Sequence, residues 1–161
     1  MKKMMIGTMM LSLLALGFAG TAQAEEKTEV NYNVDNRYTL MIPESIDLNS
    51  TDEIKIGTSK HNIEPTKHLS ITLSKTNDSI ATDGTISLER QNDSQTHTLS
   101  TKLTKENDPT VLKKGDLLVS VTDKSDSGSL ETFKFADLTG DEKAGQYKTT
   151  INFVADVVTG M

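Results

Sequence analysis

Residues 25–161 predict an all-β fold, an antiparallel β-sandwich with Ig-like or jelly-roll-like Greek-key connections. Three observations carry that expectation. From Val30 onward, apolar residues alternate with polar ones at a period of two, the mark of strands with one buried and one wet face. Thr and Ser fill the polar positions, which suits a pleated surface better than a helix. Turn signals recur at intervals of roughly 8 to 15 residues, with no apolar stripe of helical period between them, so about nine short strands are expected rather than βαβ units.

Taken in order, Val30, Tyr32 and Val34 share one face of a first run. Tyr38, Leu40 and Ile42 share one face of a second, which stops at Pro43 because proline cannot donate to a ladder. Ile54 with Ile56, then Leu69, Ile71 and Leu73, form the next two, joined by the connection His61 to Lys67 around Pro65. Asp83-Gly84 suits the positive φ of a hairpin turn ahead of Ile86 and Leu88, with Ser79 to Ala81 as the returning partner. His97, Leu99, Thr101 and Leu103 alternate along a polar strand that Asn107-Asp108-Pro109 is expected to break. Lys113-Lys114-Gly115-Asp116 turns the chain into Leu117, Val119 and Val121. Beyond the polar loop Asp123 to Gly128 comes a strand marked by Phe133 and Phe135. A loop from Thr139 to Gly145 then leads into the longest run, with Tyr147, Thr149, Ile151, Phe153, Ala155 and Val157 facing one way.

The first 24 residues have a different character. Lys2 and Lys3 precede an apolar run from Met4 to Phe18, and Ala22-Gln23-Ala24 is a small-x-small site, the pattern of a signal peptide cleaved before Glu25. The expected domains are therefore a leader at 1–24 and a single sandwich at 25–161. The apolar run is shorter than the ~20 residues of a membrane span, so no transmembrane anchor is expected after cleavage. The absence of cysteine excludes lipid attachment at a cysteine, as well as disulfides and thiolate metal sites, and no LPxTG-type sorting signal follows. An exported domain without disulfides suits a bacterium.

Composition narrows the partners further. The 17 Lys and Arg face 23 Asp and Glu, and removing Lys2 and Lys3 with the leader leaves 15 against 23, a net charge of −8. Such a chain repels nucleic acid. Val, Ile, Leu and Phe supply about 23% of residues 25–161, above the roughly 20% below which a chain stays disordered, so a packed core is expected.

No constellation of catalytic type stands out. His61, His68 and His97 are the only histidines, and none sits in a His-Glu-x-x-His or nucleophile-elbow context. They read as loop or strand residues, with His61 and His68 flanking one connection that lacks an evident third metal ligand. Two acidic loops are candidates for calcium: Asp123, Asp126 and Glu131 around Ser127-Gly128, and Asp137, Asp141 and Glu142 in the next. Neither has the spacing of a calcium loop, so both read as solvated turns. With no Trp and only Tyr32, Tyr38 and Tyr147, flat aromatic platforms for sugars are scarce. Asn49-Ser50-Thr51, Asn77-Asp78-Ser79 and Asn92-Asp93-Ser94 match the glycosylation sequon by composition, and Asn152 on the last run is a weak candidate for a Lys–Asn isopeptide bond. No catalytic residue and no cofactor are assigned, and a metal site is left open.

Two stretches resemble a known group. Tyr38-Thr39-Leu40-Met41-Ile42-Pro43, continuing through Ile46 and Leu48, resembles the early Tyr-x-hydrophobic-x-Ile-Pro strand of small secreted β-sandwich surface proteins of Gram-positive bacteria. Ala144-Gly145-Gln146-Tyr147 followed by Phe153 resembles their closing strand. The group includes adhesin-like and WxL-type proteins, and this chain departs from the latter because it has no Trp and hence no Trp-x-Leu wall-binding motif. The resemblance implies a non-enzymatic, adhesin-like or structural component at the cell surface. Its partner would be a protein or an envelope polymer, met through polar loops and strand edges. The alternative is a subunit of a surface fibre or pilus, in which the arm Glu25 to Val34 completes a neighbour's sheet. Against that, the arm is expected to pair within its own sandwich, because the closing strand leaves no gap.

Overall fold

The computed structural model describes residues 30–92, 97–140 and 142–160. The proposed leader at 1–24 lies outside them, as do residues 25–29 of the arm, Asp93 and Ser94 of one sequon, and Asp141. From Val34 onward the chain is one compact unit built wholly of antiparallel strands, as the alternation predicts.

The strands are β1 (Arg37–Met41), β2 (Glu53–Asn62), β3 (Lys67–Leu73), β4 (Thr85–Arg90), β5 (Thr98–Lys105), β6 (Asp108–Val111), β7 (Leu117–Val121), β8 (Lys124–Ser125), β9 (Ser129–Phe135), β10 (Thr139–Gly140), β11 (Tyr147–Lys148) and β12 (Phe153–Thr159). The larger sheet runs β1-β2-β9-β5-β4-β11, with β6 and β10 paired to β5 and β8 to β2. The second sheet is β12-β3-β7. Between the two lie Ile54, Ile56, Ile86, Leu103, Phe133 and Phe135 from the first and Leu69, Ile71, Leu73, Val119 and Val121 from the second, all buried. Burying each such side chain contributes about 1.5 to 3 kcal/mol before chain entropy is subtracted, which makes this layer the main support of the fold.

Several elements differ from the reading of the sequence. Val30, Tyr32 and Val34 form no strand, and Val30 and Tyr32 are 86% and 90% exposed. Tyr38 and Leu40 are also exposed, because β1 is an edge strand with a neighbour on one side only. In β7 the pairing jumps from Val119 to Leu117, so Leu118 turns inward and Leu117 outward, a bulge that simple alternation cannot show. The break expected at Asn107-Asp108-Pro109 is present, since β5 ends at Lys105, but Asp108-Pro109 open the returning strand β6, whose ladder partner is β5 alone, so the missing N–H is not needed there.

The last and longest run is two strands rather than one. Alternation of half-buried and exposed positions continues unbroken from Tyr147 to Val158. The hydrogen-bond partner changes midway: β11 pairs with β4 in the large sheet, and β12 pairs with β3 in the other. Alternation records which side of the chain is buried and is silent about the neighbour.

β2 carries a second bulge. Its register to β1 steps from Lys60 to Thr58, leaving Ser59 unpaired with β1 and bringing Thr58 and His61 to the same buried side. The returning turn between β8 and β9 crosses this bulge at Gly128, where φ is +72° and a β-carbon would overlap the Thr58 carbonyl oxygen. Only glycine meets both conditions.

The hairpin at Asp83-Gly84 forms as expected, with Ile80 bridging Ile86 and the Ala81 N–H donating to Thr85 O at 2.8 Å. Exposed turns are tied by carboxylates. The Thr85 backbone N–H and hydroxyl hold the Asp83 carboxyl below its usual range, Asn49 does the same for Asp47 through its backbone and side chain, and Thr110 for Asp108. Each folded carboxyl titrates below its unfolded counterpart. Their contribution is therefore complete above the ordinary Asp value of 3.8 and is lost as pH falls through the folded values. The thermal midpoint, followed by circular dichroism, should hold from about pH 7 to about pH 5 and drop below about pH 4. The drop should be shallower in the variant Asp47→Ala, Asp83→Ala, Asp108→Ala.

Candidate functional site

Where the chain leaves β11 for β12, it passes along the side of the sandwich and frames a groove of about 460 Å³. The floor is the inner face of the large sheet: Ile54 of β2, Ile86 and Leu88 of β4, Thr101 of β5 and Phe135 of β9. One wall is the strap Pro43–Leu48 after β1, and the other is the crossing from Tyr147 to Phe153.

Both walls follow from local chemistry. Pro43 follows the end of β1, and Ile42 before it and Ile46 and Leu48 of the strap lie half-buried on the core. It is stopped by a turn in which the Ser50 and Thr51 N–H groups donate to Asp47 O at 2.9 and 3.1 Å, while an Asp47 carboxylate oxygen accepts from Asn49 N at 3.0 Å. The crossing has no strand partner over Thr149–Asn152, so its backbone must be satisfied in another way. Asn77, fully buried, supplies the answer: its Oδ1 accepts from Asn152 N at 2.7 Å and its Nδ2 donates to Asn152 O at 2.8 Å. The Ser74 N–H adds a bond to the same carbonyl at 2.9 Å, and the Ser79 hydroxyl donates to Thr150 O at 2.6 Å. The amide of Asn77 thus imitates one rung of a ladder.

With that backbone fixed, Ile151 and Phe153 face the core while Tyr147, Thr149 and Thr150 line the groove. The Tyr147 hydroxyl closes the preceding turn, accepting from Lys143 N and donating to Lys143 O, each at 3.1 Å. The result is an apolar floor with a rim of hydroxyls, one carboxylate at Glu44 and one ammonium at Lys148. Apolar surface with a few polar groups at its edge is the character of a binding cleft.

The histidines do not gather there. His61 is buried in β2 with Nδ1 2.9 Å from the Thr58 hydroxyl, His68 lies on β3 beside a shallow depression lined by Pro65, Thr66 and Ser120, and His97 precedes β5. Among the described residues no three His, Asp, Glu or Cys side chains come together as a metal site. Of the candidate calcium acids, Glu131 faces Lys105 at 3.8 Å and Asp126 faces Lys124 at 3.7 Å. Asp123 uses its backbone carbonyl to accept from Ile63 N at 2.7 Å. Asp137 and Glu142 are exposed, and Asp141 lies outside the described residues. Asn152 is exposed, which removes the buried setting an isopeptide bond needs, and Asn77 is too deeply buried to accept a glycan. Asn49 remains exposed. Tyr32 and Tyr38, expected toward the core, are on the surface. Asn77 and the strap were missed because an Asn within a polar loop and an apolar pair beyond a proline each read as ordinary connection.

No protein-family model matches the chain, and no curated protein does. A chain of a chaperone–tip adhesin complex, described as vital for synergistic activation of CFA/I fimbriae biogenesis, matches among solved structures. It has 17% identity and a TM-score of 0.42, over 77% of this chain and 42% of that one. The chain therefore spans less than half the length of that neighbour. No helix among the described residues is long and apolar enough to cross a membrane.

Removal of the Asn77 amide leaves Asn152 N and O without their side-chain partner at a part-buried position. Asn77→Ala should destabilise the fold by about 2 kcal/mol in urea unfolding, because two part-buried hydrogen bonds to the Asn152 backbone are lost and the buried Asn77 side chain leaves a gap.

Proposed function

We propose that this chain is a secreted or cell-surface, non-enzymatic β-sandwich protein of a bacterium, adhesin-like or structural in role. The groove carries the reading. Its apolar floor and hydroxyl rim offer shape and hydrogen bonds along a length, and its single carboxylate and ammonium stand without a histidine beside them. The export pattern at 1–24 and the net charge of −8 on residues 25–161 support a destination outside the cell and a partner other than nucleic acid. The two stretches that resemble the secreted β-sandwich surface proteins of Gram-positive bacteria are far apart in sequence, yet they line opposite walls of the groove at Pro43, Ile46 and Leu48 and at Tyr147 and Phe153. That convergence supports placing the chain with them, by a route of attachment other than Trp-x-Leu.

A second reading, a fibre subunit assembled by strand exchange, is favoured by the exposure of Val30, Tyr32 and Val34 in the arm. Deleting Glu25 to Val34 separates the two: loss of polymer with a retained fold supports the fibre.

For the leading reading, exported protein is presented to isolated bacterial cell walls and to a library of extended peptides. Retention on one of them is expected, and Thr150→Trp, which fills the groove from its rim, should reduce it at least about tenfold without changing the circular dichroism spectrum. A hydrolytic activity abolished by replacing His68 or His97 would overturn the proposal.

A further inference from the structure

The segment Val30 to Ile42 is nearly its own mirror image. Every even-numbered position except 36 is apolar: Val30, Tyr32 and Val34 before Asn36, and Tyr38, Leu40 and Ile42 after it. Asp35 and Arg37, of opposite charge, flank the centre. Two copies of this segment laid antiparallel about a two-fold axis at Asn36 would set Val34 against Tyr38, Tyr32 against Leu40, Val30 against Ile42 and Asp35 against Arg37, each pair occurring twice. Positions directly opposite in an antiparallel pair share a face, so all six apolar pairs would fall on one side.

The structure shows one half of this pairing ready for the other. β1 is an edge strand, all five of its residues are exposed, and the extra residue at its junction with β2 belongs to β2, so β1 itself keeps a regular period of two. Of the ten large exposed apolar residues among those described, six lie between Val30 and Met41. At the centre, Asn36 Oδ1 accepts from Glu64 N at 2.7 Å, which fixes the point about which the segment would be related to its copy. An exposed apolar edge of this kind is a template for another strand.

We infer that the partner of this edge is a second copy of the same chain, joined by reciprocal antiparallel pairing of residues 30–42 about Asn36. The interface is isologous and closes on itself, giving a dimer with a sheet continuous from one β2 to the other. It goes beyond the surface-binding reading and stands apart from the fibre, since reciprocal pairing consumes both arms and leaves none to propagate.

The test uses charge. In light scattering coupled to size-exclusion chromatography, exported protein should run as a dimer. Asp35→Arg alone and Arg37→Asp alone each set like charges opposite one another twice and should weaken self-association about 10- to 100-fold. An equimolar mixture of the two variants restores both opposite-charge pairs and should recover the dimer, as should the double variant Asp35→Arg, Arg37→Asp. Circular dichroism of each variant reports the fold. A monomer at every concentration overturns the inference, as does a polymer that lengthens with concentration, or a mixture that fails to recover the dimer when both variants are folded. A folded monomer leaves the groove and its binding experiment untouched.

Discussion

The sandwich depends on one change of partner. A single segment at the C-terminal end serves both sheets, entering along β4 and leaving along β3. Between those ladders the backbone of Thr149–Asn152 has no strand beside it. The carboxamide of Asn77 presents a donor and an acceptor with the same spacing as a peptide group, and it satisfies both backbone groups of Asn152 from within the core. A part-buried peptide left unpaired would offset some of what burial of a large side chain recovers, so this clamp lets the strand cross without weakening the layer that Ile151 and Phe153 help to fill.

The groove is a by-product of that crossing. A strand that stayed with β4 over its whole length would lie flat against the sheet edge. Because it lifts away toward β3, it stands off from Ile86 and Leu88, and the strap from Pro43 to Leu48 faces it across the gap. Packing and prospective binding thus share the same residues. Polar bonds anchor the outside of the crossing through Ser74, Asn77 and Ser79, leaving the threonines on the rim.

At the other end of the large sheet, bulging rather than crossing sets the shape. Skipping Ser59 brings Thr58 and His61 to one side, where the hydroxyl and the imidazole satisfy each other beneath the surface, and Gly128 allows the next turn to pass close over the irregular backbone. His61 is spent on structure there. β1 beyond it is left with one neighbour and an exposed face. The molecule therefore offers two kinds of surface, a groove between its layers and an edge at the end of one of them.

Much of this was legible from the order of residues. Period-two alternation determined the all-β class, most strand positions and the buried faces at Ile54 and Ile56, Leu69 to Leu73, Leu99 to Leu103 and Phe133 with Phe135, because side-chain direction along a strand is a local property of the chain. Gly84 and Pro43 marked their turns for equally local reasons. What lies beside a strand is not local. That Val30 to Val34 form no strand, that Leu118 rather than Leu117 turns inward, that Tyr147 and Phe153 serve different sheets, and that Asn77 is a core residue were all decided by the tertiary structure. A hydrogen-bond partner is chosen by the whole packed arrangement, and two strands with the same pattern of alternation carry no mark of which neighbour each will meet.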